Sequence, residues 1–286
     1  MEQKGLGIKK KRILFSICYY GGMILFSFIM IYPLLWMLAS SFKPNEDIFV
    51  TVESLIPVNF TMEHYISGWK GFANYDFGIF FKNSFVVAII STLGTVVSSA
   101  VVAFGFARLK FPGRNIWFGL MMLTMMMPHQ VLMIPQFLLF NEMKMVGTFL
   151  PLTLPSFFGG AFNIFMIMQF IRGIPKDMDE AARIDGCSWY GIFGRIHIPM
   201  IKPALATVAV LTFMGAWQDF MGPLLYLNGP EQYTVAYALK LFNDSAGTDY
   251  GATFSMSVLS LLPILILFFI FQKQLIEGIS IQGLKG

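Results

Sequence analysis

The passage DEAARIDGCSWYGIFGRIHIP, residues 179–199, is charged and rich in Ala and Gly, although the chain around it is strongly apolar. Over 286 residues the hydrophobic fraction is 56% and charged residues make up 13%. Ordinary soluble domains contain about 25% charged residues. The composition therefore predicts a polytopic membrane protein, with this polar passage set between two apolar runs.

Two short helices joined at a glycine are predicted for the passage. Pro175 suits the first turn of a helix, and the acidic residues that follow it favour the positive end of the helix dipole. Gly186 ends this helix, because glycine readily adopts the left-handed conformation after a helix C-terminus. Ser188 caps a second helix, which is expected to run to Pro199. These local features alone fit either a protein-docking surface or an amphipathic helix lying on lipid.

Six mostly apolar stretches each reach the length of about 20 residues that a transmembrane helix needs. Helices are favoured over barrel strands, since each backbone polar group must be satisfied within the segment and barrel strands are short and alternating. The first stretch is too long for the apolar core of a cleaved signal peptide. The six stretches are residues 13–38, 84–107, 116–140, 149–171, 203–227 and 252–271.

Lys and Arg lie mainly on one side of these stretches. If the N-terminus is cytoplasmic, 15 of the 20 basic residues fall on the cytoplasmic side, as the positive-inside rule requires. The tails at 1–12 and 273–286 and the passage at 179–199 are then cytoplasmic, while the loops at 39–83 and 228–251 face outward. This distribution also accounts for the net charge of +4 without a nucleic-acid partner.

Proline interrupts four of the stretches. Broken helices at membrane depth are tolerated where they line a cavity, which favours a transport pathway, although proline is also commoner in transmembrane helices than in soluble ones. The interrupting residues are Pro128, Pro135, Pro151, Pro155, Pro223 and Pro263.

Motifs for enzymatic chemistry are missing from the sequence. There is no G-x-x-x-x-G-K-[ST] loop to bind phosphates, so any ATP must be bound by a partner. The three histidines, His64, His129 and His197, lie in separate segments, which argues against a metal site. We expect a non-enzymatic chain without a cofactor of its own.

Polar and aromatic residues in the fifth stretch are candidates for a substrate pathway. Asp219 is an acidic residue inside a predicted span, where ionisable groups are functional candidates by default, but it also precedes a Gly-Pro pair whose freed backbone groups it can satisfy. Aromatic faces and amides commonly hold sugars, whereas an aromatic residue in a span is more often packing. The candidates are Trp217, Gln218, Asp219 and Phe220, together with Gln130.

The polar passage also resembles a family signature. E-A-A at 180–182, Gly186 after three residues, and I-H-I-P at 196–199 after nine more are similar to the E-A-A-x-x-x-G-x(9)-I-x-L-P pattern of the membrane subunits of ATP-binding-cassette importers. Ile198 replaces the usual Leu. The stretches TFMGAWQDFMGPLLYLN, FARLKFPGR and EGISIQGLKG resemble the carbohydrate branch, maltose-type subunits above all, with Gln218 in place of a more usual Asn. The resemblance covers nearly the whole chain.

This resemblance implies the all-α, six-helix fold of type I importer permeases, with a permease core over 84–272. It implies that 174–199 is a coupling region resting on a cytoplasmic ATPase subunit. The residues implied to dock that subunit are Glu180, Ala181, Ala182, Asp185 and Gly186. Implied partners are a homologous permease subunit forming a heterodimer, two copies of the ATPase that binds ATP and Mg, an extracytoplasmic solute-binding protein, and the bilayer of the inner (cytoplasmic) membrane.

The expected function is import of a sugar or oligosaccharide. Another small solute, such as an amino acid or phosphate, stays open as the substrate. A secondary carrier is a different class, which an inverted repeat and intramembrane charge pairs would support; neither is evident in the sequence.

Overall fold

The computed structural model describes residues 2–242 and 249–283, and over those residues the chain is helical without a β-sheet. The pairing of Phe72 with Tyr75 is an isolated bridge. The predicted all-α class is confirmed. The helices are α1 Glu2–Ser40, α2 Asn45–Ile48, α3 Glu63–Trp69, α4 Phe77–Arg108, α5 Arg114–Met125, α6 His129–Glu142, α7 Leu150–Thr153, α8 Ala161–Gly173, α9 Lys176–Ile184, α10 Trp189–Ile192, α11 Ile198–Met200, α12 Lys202–Gln218, α13 Met221–Tyr226, α14 Val235–Phe242 and α15 Tyr250–Gly283. Short 3-10 turns span Leu154–Phe158 and Pro230–Gln232, and a π turn spans Phe193–His197.

Four helical segments among the described residues are long and apolar enough to cross a membrane: Phe15–Ser40, Phe77–Arg108, Leu150–Gly173 and Tyr250–Ile276. Two pairs of helices meet the same requirement only together and are sharply bent, Arg114–Met125 with Gln130–Glu142 at 104° and Trp189–Met200 with Lys202–Gln218 at 76°. The predicted spans at 13–38, 84–107, 149–171 and 252–271 overlap the four long segments, and 116–140 overlaps the first bent pair. The predicted span at 203–227 overlaps only the second helix of the other pair, whose first helix lies in the passage predicted to be cytoplasmic. The bend of the first pair falls at Pro128, one of the prolines expected to break a helix.

Two of the predicted spans differ most from the helices of the structure. The second predicted span starts at 84, whereas α4 starts at Phe77, which shortens the predicted outer loop at 39–83. The fifth predicted span, 203–227, does not form one helix, because α12 ends at Gln218 and α13 begins at Met221. The Asp219 carboxylate accepts a hydrogen bond from Gly222 N at 3.1 Å, so the chain starts a new helix after the break.

The described chain divides into two compact units: residues 2–69 with 249–259, and residues 70–242 with 260–283. In the first unit, the loop after α1 is built around Lys43, whose side chain is buried and donates to the carbonyl oxygens of Thr51 and Ser54 at 2.7 Å each. Most of the large apolar residues of α1 from Phe15 onward are exposed, as expected for a helix whose surroundings are lipid or another subunit.

In the second unit α4 is the central helix, and α8 and α12 both pack against it. Hydroxyl groups on α4 reach the proline-containing stretch at 150–158: Ser91 donates to Leu152 O at 3.3 Å and Ser98 donates to Ser156 O at 3.1 Å. Gly94 lets this stretch approach closely, since a Cβ there would lie 2.9 Å from the Phe157 ring. Small residues and hydroxyl groups therefore set the spacing around α4.

Side chains near the start of α4 also form hydrogen bonds with the backbone that follows α13. Asn83 donates to Glu231 O at 2.8 Å and to Tyr233 O at 3.0 Å, and the Ser84 hydroxyl accepts from Val235 N at 2.8 Å. These bonds satisfy backbone groups that the turn at 229–235 leaves without helical partners.

Replacing Gly94 by Val should lower the stability of the purified chain in detergent by about 1–3 kcal/mol, because the side chain overpacks against Phe157. Gly105→Val is the matched control, since Gly105 lies on the same helix and a Cβ added there would meet none of the described residues within 4 Å. The thermal unfolding of both variants is monitored by tryptophan fluorescence. Equal losses for the two variants would contradict the proposed close approach.

Candidate functional site

Residues 174–200, hereafter the elbow, form two helical arms joined at Gly186. Gly186 has φ +81°, as the sequence predicts for this turn. Its N–H donates to Arg183 O at 3.1 Å and the N–H of Cys187 donates to Ala182 O at 2.9 Å. This pair of bonds is a Schellman motif, which satisfies carbonyl groups at the end of α9. Ser188 caps the second arm as predicted, accepting from Gly191 N at 3.3 Å.

The second arm runs to Pro199 as predicted and ends one residue beyond it. It comprises α10, the π turn Phe193–His197 and α11, and it continues to Met200 before the chain bends into α12. In the π turn, Ile198 N donates to Phe193 O, five residues back. The wider turn ahead of Pro199 lets the helical path continue where an α-helix would lose a bond at proline.

The outer face of the elbow is exposed. Of the residues expected to dock a partner, Glu180, Ala181, Asp185 and Gly186 are exposed, whereas Ala182 is half-buried and packs against the core. Three large apolar residues that the sequence reasoning missed lie on the exposed surface: Met178 at 40%, Ile184 at 87% and Tyr190 at 90% exposure. The sequence could have revealed this surface, because Met178, Ala181 and Ile184 are three residues apart each time and so lie on one face of a helix. These exposed apolar side chains are available for contact with a partner protein or with lipid.

The inner face of the elbow belongs to the core of the second unit. Ile174 and Ile192 are buried, and with Ile201, the residue after the elbow, they form one cluster with residues of α4, α8 and α12. The Phe104 ring of α4 contacts the rings of Trp189 and Phe193, with centroids 6.2 and 5.0 Å apart. The second arm is therefore packed firmly on α4.

A cation–π contact links the two arms directly. The Arg183 guanidinium of α9 lies 5.0 Å from the centroid of the Trp189 ring at the start of α10. Together with the Gly186 turn, this contact favours one angle between the arms, by about 0.5–1 kcal/mol for a contact whose guanidinium is exposed.

A buried ionic cluster joins the elbow to the last residue of α4. Arg108 Nε lies 2.7 Å from Asp179 Oδ2, and His197 Nε2 donates to Asp179 Oδ1 at 2.7 Å. Arg108 also donates through Nη2 to Ile174 O at 2.6 Å. The side chains of Arg108, Asp179 and His197 are 4%, 6% and 0% exposed. Sequence reasoning missed this cluster, because its members come from three segments and none carries a local signal.

The predicted pathway residues lie around the break between α12 and α13. Trp217 is buried, donates through Nε1 to Ser260 O at 3.0 Å and packs on the ring of Phe85 with centroids 4.7 Å apart. Asp219 lies just before α13 and accepts from Gly222 N in its first turn, as described above. These contacts are those of packing and capping groups, and a pathway role for both stays a prediction.

The other pathway candidates have more open surroundings. Gln218 is exposed, and Phe220 is half-buried against the Tyr237 ring, with centroids 5.8 Å apart. Gln130 is exposed near the start of α6, whose later residue Phe140 packs on Tyr226 of α13. Gln130 and Gln218 are therefore the accessible amides of the predicted set.

The fold and the elbow define a membrane component of a transport system. Residues 96–281 match the family described as binding-protein-dependent transport system inner membrane component, and the chain belongs to that family. The chain is thus a multi-pass membrane permease subunit and not an enzyme, since ATP hydrolysis in such importers resides in a separate subunit.

Two curated relatives cover almost the whole chain. The arabinooligosaccharides transport system permease protein AraQ of Halalkalibacterium halodurans is 32% identical, over 93% of this chain and 95% of the relative. The galactooligosaccharides transport system permease protein GanQ of Bacillus subtilis is 31% identical, over 96% of each chain. A solved bacterial ABC transporter involved in import of the acidic polysaccharide alginate shares the fold, with TM-score 0.79 and 20% identity over 91% of this chain and 96% of that one.

Replacing Gly186 by Val should loosen the elbow, because a left-handed conformation costs a residue with a Cβ about 1–2 kcal/mol. We expect amide hydrogen exchange in peptides covering 183–188 to accelerate about tenfold. Gly186→Asn is the control, since Asn tolerates this conformation better. Unchanged exchange in the Val variant would show that the Schellman turn does not hold the elbow together.

Proposed function

We propose that the chain is one of two homologous permease subunits of an importer for a sugar or oligosaccharide. An extracytoplasmic solute-binding protein delivers the substrate, and two copies of an ATPase subunit, which bind ATP and Mg²⁺, drive the cycle. The observation that carries the proposal is the elbow, whose family spacing coincides with an exposed face and a buried face on one rigid element. The oligosaccharides named for the two relatives support a sugar substrate.

The elbow suits the transfer of motion from a docked ATPase. Its outer face offers the apolar side chains of Met178, Ile184 and Tyr190 beside the charges of Glu180 and Asp185. Apolar groups supply contact energy in such an interface, while charges at its rim fix orientation. The arms are held by the Gly186 turn and the inner face is fixed to the core, so a push on the outer face moves the elbow as a body.

Ile184→Asp should weaken association with the ATPase by about tenfold or more, because it places a charge where an apolar anchor is buried on docking. Ile56→Asp is the matched control, since Ile56 is also highly exposed, at 79%, but lies in the predicted outer loop. For both variants, the amount of ATPase that co-purifies with the tagged chain from its native membrane is measured. Mass spectrometry and Mg-ATP hydrolysis identify the ATPase. If the Ile184→Asp variant retains the ATPase as well as the wild type does, the elbow is not part of the interface.

We also propose that the elbow and both termini are cytoplasmic, as the distribution of Lys and Arg supports. In a background lacking Cys18 and Cys187, an impermeant thiol reagent applied to intact cells should label Ile56→Cys and leave Ile184→Cys unlabelled. Both side chains are more than three-quarters exposed in the chain itself, at 79% and 87%. Because docking of the ATPase would also cover Ile184, labelling of Ile184→Cys in inside-out membranes stripped of the ATPase is the control that shows the thiol to be reactive. Labelling of Ile184→Cys alone would invert the topology.

A further inference from the structure

The buried cluster of Arg108, Asp179 and His197 is not explained by stability alone. Burying a charged pair costs desolvation free energy, and apolar side chains of similar volume often serve stability as well or better. The cluster is nevertheless almost completely enclosed, with side chains 0–6% exposed. Its position, at the junction between the elbow and a long helix, offers another explanation.

Asp179 and Glu180 are consecutive residues of α9 that lie on different faces. Glu180 is exposed on the predicted docking surface, whereas Asp179 is buried against the core. Successive residues of an α-helix are rotated by about 100°, so one short helix presents a partner contact and an internal anchor together. A displacement of α9 by a partner on the outer face therefore reaches Asp179 directly.

The buried cluster holds both arms of the elbow at the end of α4. Arg108 is the last residue of α4, and it holds Asp179 of the first arm and the carbonyl of Ile174 just before that arm. His197 brings the second arm to the same carboxylate. The apolar contacts nearby are non-directional, whereas the hydrogen bonds from Arg108 Nη2 to Ile174 O and from His197 Nε2 to the Asp179 carboxylate fix distance and angle. The Arg108–Asp179 ion pair adds attraction without hydrogen-bond geometry.

We propose that Asp179 is a positioning residue for coupling: through Arg108 and His197 it locks both arms of the elbow to the end of α4, so that movement of the docked ATPase is carried into α4. The inference rests on the proposed function, since it concerns how the docked elbow acts. Asp179 itself touches neither substrate nor ATP. Its role is to keep the elbow and α4 moving together.

The test uses the complete complex in proteoliposomes, with its binding protein and substrate, and measures solute transported per ATP hydrolysed. Asp179→Asn should lower this ratio about tenfold or more, because Arg108 loses its charged partner, while the ATPase still co-purifies. Asp179→Glu restores a carboxylate and should recover most of the coupling. Normal coupling in Asp179→Asn would overturn the proposal.

The triple variant Arg108→Met, Asp179→Leu, His197→Phe separates positioning from simple stability. Apolar replacement of all three side chains leaves none of them buried without its partner, so thermal stability should stay at or above that of Asp179→Asn, yet the transport-to-hydrolysis ratio should stay low because the directional anchor is gone. Recovery of stability and coupling together would show that the cluster only stabilises the fold, and would overturn the proposal. Should the triple variant fail to assemble, the contrast between Asp179→Asn and Asp179→Glu decides alone.

Glu180→Lys distinguishes failure of this inference from failure of the proposed function. It should release the ATPase from the complex, whereas the Asp179 variants keep it. A wild-type chain that co-purifies with no ATPase would instead contradict the proposed function itself.

Discussion

Close approach to α4 is the constraint on which the second unit depends. Within a bilayer the surrounding lipid is as apolar as the side chains, so helices associate through tight packing and hydrogen bonds rather than through the hydrophobic effect. α4 meets this constraint with Gly94 and with the hydroxyl groups of Ser91 and Ser98, which bond backbone carbonyls of the stretch at 150–158. Prolines in that stretch are tolerated because a neighbouring helix supplies partners for its backbone.

The elbow, at the C-terminal end of the same helix, is held by a different kind of interaction. Its inner face belongs to a conventional apolar core, in which Ile174 and Ile192 share one cluster with Phe104. Its outer face leaves Ile184 and Tyr190 in the open. One element thus combines strong attachment to the chain with an unfilled contact surface, which is the arrangement that a mechanical link between two proteins requires.

The sequence predicts what depends on local chemistry. Gly186 has the left-handed conformation that its position after α9 indicates, Ser188 caps the next helix, and Pro128 marks the bend between α5 and α6. The composition and the length of the apolar stretches predict the all-α class for the same reason, since each span must satisfy its own backbone.

Features that depend on distant residues were not predictable in this way. The bond between Arg108 and Ile174 joins positions 66 residues apart, and periodicity within one segment says nothing about such a pair. The division of the fifth span at Asp219 also depends on context, because the same carboxylate suits a helix cap and a substrate pathway equally well. The exposure of Tyr190 likewise depends on which face of the second arm the core covers.

The π turn at Phe193–His197 has a consequence for how the chain can change over evolutionary time. Such a turn holds one residue more than an α-helix of the same length, so it absorbs that residue locally while the helix on either side keeps its direction. A further residue inserted into the second arm would exceed what this turn absorbs and would rotate everything beyond it by about 100°. His197 would then leave Asp179, and Ile201 would leave its buried position before α12. Exposed positions between Gly186 and Pro199 can therefore vary in side chain, whereas an added residue would dismantle the joint, so the number of residues is itself a mechanical requirement there.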